Sequence, residues 1–286
     1  MLKTVFFGSS KFVIPIIEAI RKNFDLTLVV TTEKLATDPV PSYCIKSKVY
    51  YYVVTDFGDK QLLQELTKLN ADVGVLASFG AIVPNEVLNL FPHGIINIHP
   101  SLLPKYRGPT PVQTAILNGD NKTGVTIIKL DKEVDHGPIL FQTKENILPN
   151  DTSESLYERL FKLSASSIVS TIELYLKGKI KLRQQNHAKT TFTKRLTRED
   201  GFIDLHNPPS PQILDRMIRA YYPWPSVWTE LRIMNQELRI KFLPGEKIQV
   251  EGKKPMSYKD FINGYPALTP VMLNLFQYLE RSEILK

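Results

Sequence analysis

GIINIHPSLLPKYRGPTPVQ, residues 94–113, begins as an apolar run, stops on Asn97 and His99, and passes into a proline-rich loop carrying Arg107-Gly108. Its isoleucines fall on both sides of an extended chain, so a strand here must be covered on both faces. That is the habit of strands in a mostly parallel sheet rather than a half-exposed antiparallel one. Asn97 and His99 are two residues apart and leave the same face of the strand. A connector would need neither a titratable ring at the strand's end nor a Pro-Ser-Leu-Leu-Pro brace after it.

The same pattern extends outward in both directions. KTVFFG (3–8), LTLVVTT (26–32), VYYYVV (49–54) and DVGVLAS (72–78) read as further buried strands. Between them, Lys11 to Lys22 and Asp59 to Asn70 carry apolar residues at helical spacing. Strands alternating with helices predict an α/β fold, a Rossmann-like, doubly wound sheet with helices on both faces. GVTIIKL (124–130) followed closely by PILFQTKENI (138–147) predicts one antiparallel hairpin. Asp151 or Thr152 can cap a long helix reaching Leu176. Beyond HNPPSP (206–211) a short helix over 212–220, brief strands in VWTELRIMN, ELRIKFL and KIQVEG, and a helix over about 270–285 complete the expectation. The domains expected are 1–183, a basic linker over 184–200, and a small domain over 201–286.

Composition narrows the function classes. A hydrophobic content of 43% with 23% charged residues suits a globular core. The single cysteine, Cys44, cannot make an internal disulfide, and no Cys/His spacing suggests a metal site, so no metal is expected. The apolar N-terminus is broken by Lys11 and Pro15 and reads as a strand and helix rather than an export signal. With no stretch near the ~20 apolar residues of a membrane span, a cytoplasmic monomer with no membrane partner is expected. The first turn, FFGSSKF, lacks the second and third glycines of a dinucleotide fingerprint, and no P-loop is present. Net charge is +7, and residues 177–198 hold eight Lys/Arg and no acid. Such a run is either a solvated face or a contact for a phosphate backbone.

In open α/β sheets ligands collect at the carboxyl ends of the strands, where strand order reverses. Asn97, His99 and, in the LDKEVDHGPIL loop, Asp135 can converge there. An amide donor, an imidazole and a carboxylate make a minimal kit for moving an acyl group onto an amine. Each also has a structural reading, as a turn former, a satisfied histidine or an Asx turn, and spacing alone leaves these open.

NIHPSLLPKYRGPTPVQ, with LDKEVDHGPIL, resembles the signature of the formyltetrahydrofolate-dependent formyltransferases. The resemblance covers the first domain, from VFFGSSKFVIP through ASFGAIVP. It continues in TKRLTREDGFIDL, YYPWP and EGKKPMSYKDFINGY, which are similar to the C-terminal part of methionyl-tRNA formyltransferases. The resemblance implies Asn97, His99 and Asp135 as the catalytic trio and 10-formyltetrahydrofolate as co-substrate. It implies that Ser101, Leu102, Leu103 and Pro104, with a cis Leu103–Pro104 bond, and Phe79, Gly80, Ile82 and Val83 bind that co-substrate. The acceptor implied is the α-amino group of initiator methionyl-tRNA. The acid-free run, through Lys194, Arg195 and Arg198, with Arg107 just past the Pro-Ser-Leu-Leu-Pro loop, is expected to hold that tRNA. The other acceptor considered is an amino sugar linked to a nucleotide. Two departures stand out. TTEKLATDPVPSYCIK (31–46) is shorter and less basic than the tRNA-binding loop of the resembled enzymes. The strand-like residues after Trp228 are also too few for a full five-stranded, OB-like barrel, so a partial one is expected.

Overall fold

A computed structural model describes residues 1–55, 58–233 and 236–266. The helix expected near 270–285 lies outside them. The chain folds as two units. One comprises Met1–Pro111, Lys122–Asn146 and Tyr157–Thr193; the other takes Val112–Asn121, Ile147–Leu156 and the chain from Lys194 onward. The segment 184–200 is thereby divided between them.

The first unit is built on β1 (Lys3–Gly8), α1 (Ile14–Asn23), β2 (Asp25–Thr31), α2 (Pro39–Ser47), β3 (Tyr51–Val53), α3 (Lys60–Leu69), β4 (Val73–Ala77), α4 (Asn85–Leu88) and β5 (Ile95–His99). Past α5 (Pro111–Leu117), which but for Pro111 belongs to the second unit, it continues in β6 (Lys122–Lys129), β7 (Ile139–Asn146) and α6 (Ser153–Leu176) from Tyr157 onward. The sheet order is β3-β2-β1-β4-β5-β6-β7, parallel through β5 and antiparallel over β6 and β7. Strand order reverses between β1 and β4, which opens a crevice at their carboxyl ends.

Phe6 and Phe7 are both fully buried and, as neighbours on a strand, face opposite sides of the sheet. Phe7 sets its ring edgewise against Phe79 and Phe91 at 5.8 and 6.0 Å, in a cluster with Leu62 and Leu66 of α3. Helix α3 starts where the Asp59 carboxylate accepts from the amides of Gln61 and Leu62. Helix α2 was not expected, because Pro39 and Pro41 look like breakers. They fall in its first turn, where a proline's missing N–H costs no helical bond. The Glu33 carboxylate then accepts from Val40 N at 2.8 Å and Ser10 N at 2.7 Å, joining the helix start to the β1 turn.

The β6–β7 hairpin does more than extend the sheet. Thr126 and Gln142 face each other across it and hold the chain leaving β5. The Thr126 hydroxyl donates to Ser101 O (2.6 Å) and accepts from Leu103 N (3.1 Å), while Gln142 Nε2 donates to Leu103 O (2.9 Å). The Leu103–Pro104 peptide is cis.

The second unit holds α7 (Pro211–Ala220), whose Ser210 Oγ accepts from Ile213 N. Strands β8 (Val227–Ile233), β9 (Gln236–Leu243), β10 (Lys247–Val250) and β11 (Met256–Ser257) form an antiparallel sheet ordered β11-β10-β9-β8, smaller than a five-stranded barrel. Helix α8 (Tyr258–Gly264) follows and buries Tyr258 and Phe261. Among the described residues no helix is long and apolar enough to cross a membrane.

Two outcomes follow from this packing. Thr126→Val keeps the shape but strands Leu103 N and Ser101 O in the interior, at about 1–3 kcal/mol for each unsatisfied group. Thermal unfolding should shift down by several degrees. Burial pushes the Cys44 thiol from its ordinary 9.0 to about 11. Between those values the folded chain keeps a proton that the unfolded chain releases. The Cys44 contribution to stability should therefore be lost as pH rises from 9 towards 11, and a thiol reagent at pH 8 should label Cys44 only in denaturant.

Candidate active site

Strand β5 delivers Asn97 and His99 side by side, and the loop between β6 and β7 brings Asp135 to them. All three side chains are buried. Asn97 Nδ2 donates to Asp135 Oδ1 at 3.0 Å, and the backbone N–H of Gly108 donates to Asp135 Oδ2 at 2.9 Å. His99 Nδ1 stands 3.4 Å from that same Oδ2. His99 Nε2 lies 2.8 Å from Tyr106 O. A carbonyl oxygen can only accept, so Nε2 carries a hydrogen. If Nδ1 carried none, its lone pair would face the carboxylate. One Nδ2 hydrogen of Asn97 is used by Asp135; the second has no partner among the described residues.

Asp135 has φ 50°, a left-handed conformation that Asp tolerates better than most side chains. Gln185, which the sequence gave no reason to single out, holds it. Its Nε2 donates to Asp135 O (2.9 Å) and Gly137 O (2.8 Å), and its Oε1 accepts from Arg107 Nη2 (2.8 Å) and Nε (3.3 Å). Tyr106 and Gly108 were missed too, since each acts through a backbone atom. A backbone role leaves no trace in residue type.

Arg107, expected to reach toward an acceptor, is only 4% exposed. Its guanidinium is taken up by Gln185 and by His187 Nδ1 at 2.9 Å. Arg107 thus belongs to the scaffold behind Asp135. Burial draws its pKa below the usual arginine range, and Asp135, Asp131 and Glu133 oppose that shift. Because an arginine only donates, His187 must present Nδ1 as an acceptor there.

The residues expected to line the co-substrate site divide by exposure. Ser101 and Leu103 are buried, Leu102 and Pro104 partly so. Phe79 and Val83 pack against the core, whereas Gly80 is exposed and Ile82 is 78% exposed. A Cβ on Gly80 would meet only Thr32 Oγ1, at 4.0 Å. Gly80 and Ile82 thus form an open ledge past β4. In the second unit Lys194 pairs with Asp200, Arg198 lies over the Trp228 ring at 5.0 Å, and Arg195 is exposed with no polar partner among the described residues.

Residues 3–172 match the formyl transferase family. The chain is 39% identical over 248 residues to the methionyl-tRNA formyltransferase of Chloroflexus aggregans, covering 84% of this chain and 79% of that one. It is 36% identical to the enzyme of that name from Koribacter versatilis, covering 91% and 95%. Among solved structures, a 4-N formyltransferase from Francisella tularensis superposes with a TM-score of 0.69 at 19% identity, over 85% of this chain and 98% of that one. Glycinamide ribonucleotide transformylase 1 from Symbiobacterium toebii does so with 0.57 at 23% identity, over 65% and 95%. At these identities the structural likeness speaks for the fold.

Gln185→Leu would leave two carbonyls and a guanidinium without their buried partner. The turnover number should fall at least about tenfold while KM for either substrate changes little, since Asp135 is displaced rather than removed. Steady-state kinetics on the folded variant checks this.

Proposed function

This chain belongs to the formyl transferase family, and we propose that it transfers the formyl group of 10-formyltetrahydrofolate to the α-amino group of methionine on initiator tRNA, supplying translation initiation. The observation that carries the reading is the length of the likeness. Relatives named methionyl-tRNA formyltransferase align over 84% and 91% of the chain, well past the catalytic unit. Neighbours described as sugar N-formyltransferases share the fold at about 20% identity. The assay that tests it compares charged initiator tRNA with a nucleotide-linked amino sugar as acceptor. Transfer to the sugar alone would overturn it.

When bound, the folate supplies a formyl carbonyl open to attack by an amine. Ser101 to Pro104 and the ledge at Gly80 and Ile82 are the residues proposed to hold it. The chain's own groups do the rest. The free Nδ2 hydrogen of Asn97 and the positive imidazolium of His99 stabilise negative charge on the formyl oxygen in the tetrahedral intermediate. Asp135 keeps His99 oriented and takes up, through water, the proton shed by the attacking amine. The bond from the formyl carbon to the folate nitrogen breaks as the new amide forms, and that nitrogen leaves with the proton as tetrahydrofolate. We place the enzyme in a reducing compartment, in keeping with its single buried thiol.

His99→Ala should remove most turnover with the fold intact, and Asn97→Ala should cost roughly 10²–10³ in rate. Asp135→Asn keeps the shape but loses the charge, so rate should fall far more than affinity for the folate. Near-normal turnover in these variants would reject the mechanism. Of the basic residues proposed for the tRNA, Arg195 is the one that is exposed and has neither an ion pair nor a ring contact among the described residues. Arg195→Ala should weaken tRNA binding more than Lys194→Ala, and should reduce the slope of log affinity against log salt by about one.

A further inference from the structure

Phe192 is 72% exposed, yet it sits on tightly held backbone. It bridges Arg107 in parallel fashion: Arg107 N donates to Thr191 O at 2.9 Å, and Thr193 N donates to Arg107 O at 2.8 Å. The hydroxyls on either side turn to the loop. Thr191 Oγ1 accepts from Tyr106 N at 2.9 Å, and Thr193 Oγ1 accepts from Thr110 N at 3.1 Å. Alternation along an extended segment therefore sends the ring of Phe192 the other way, to solvent. At Gly108 a Cβ would already meet Thr193 Oγ1 at 2.8 Å, so the two segments are pressed together.

The place matters as much as the exposure. Arg107 lies between Tyr106, whose carbonyl holds His99, and Gly108, whose amide holds Asp135. Paired segments are about 4.8 Å apart and successive Cα atoms about 3.8 Å, so the Phe192 backbone lies within roughly 10 Å of the reacting groups. The preceding stretch, residues 177–191, holds five Lys/Arg and no acid; Lys177 pairs with Glu173 and Arg183 donates to Gln142, while Lys179 and Lys181 have no polar side-chain partner among the described residues. The Lys189 ammonium has no polar partner among the described residues. A rigid exposed aromatic next to backbone-seeking cations is how proteins hold single-stranded nucleic acid: bases stack while phosphates are neutralised.

We propose that Phe192 is a stacking platform for a base of the single-stranded acceptor end of the tRNA, setting the reach of the aminoacyl group into the site. This rests on the tRNA reading above. A phosphodiester backbone accounts for cations spread along a stretch with no acid better than the few carboxylates of a folate.

The test uses the full chain with Phe192→Ala, Phe192→Leu, Phe192→Tyr and Phe192→Trp, measuring KM separately for charged tRNA and for formyltetrahydrofolate. Stacking of one base predicts that Ala and Leu raise KM for tRNA by about 5- to 100-fold, while Tyr and Trp stay near wild type and the folate KM does not move. A tRNA with 2-aminopurine replacing its terminal adenosine should change fluorescence on binding wild type, and not on binding Phe192→Ala. Leu equal to Tyr, a shift in the folate KM instead, or no change in any variant would each overturn the proposal. If wild type formylates the amino sugar and not the tRNA, the underlying reading fails first, and that result is distinct from all of these. The ring is exposed, so its removal leaves the core intact, and unchanged thermal unfolding of the variants would verify that.

Discussion

The Asp135 carboxylate is the constraint on which the site depends. A buried carboxylate is costly unless its oxygens are bonded and a positive group is near. Here Oδ1 takes a bond from Asn97, and Oδ2 takes one from Gly108 N and faces His99. Those same contacts orient the two β5 side chains, so satisfying the charge and building the geometry of the candidate site are one event. The left-handed backbone at Asp135 tips the side chain back over the strand end, and Gln185 holds that backbone by its carbonyls. Arg107 stands behind Gln185, bringing a positive charge into the same interior.

The antiparallel hairpin added to the parallel sheet serves this arrangement twice. Its loop carries Asp135, and its strands present Thr126 and Gln142 to the chain leaving β5. At Gly137 a Cβ would stand 1.8 Å from Lys129 O, so the hairpin's base closes only because that residue is glycine. The Ser101–Leu103 backbone is thus fixed by hydrogen bonds from a neighbouring strand rather than by its own turn alone. Preorganisation of this kind is what lets donors stabilise a developing charge without first rearranging.

The second unit keeps its basic residues in different states. Trp228 has Arg198 and Arg239 over its ring, at 5.0 and 5.1 Å, and Lys194 is tied to Asp200. A count of basic residues therefore overstates what is available to a phosphate. The stretch after β2, short and weakly basic, folds into α2 with its start capped by Glu33, which makes it part of the scaffold.

Buried strands, their alternation with helices, the closing hairpin and the polar residues that end β5 were legible in the sequence. Apolar continuity, 3.6-residue spacing and polar residues at a strand end are local patterns, and local patterns survive in one dimension. Helix α2 was hidden because prolines allowed in a first helical turn look the same as prolines that break a helix. The sequence named Asn97, His99 and Asp135 but could not say how they meet. Their geometry is set by Tyr106 O, Gly108 N and the Gln185 amide, contacts between residues 27 to 50 positions apart or through backbone atoms that every residue carries. It likewise marked Arg107 as a surface cation and said nothing of Phe192. Which of two such side chains is buried is decided by the partner segment, and only the folded chain brings residues 106–108 against 191–193.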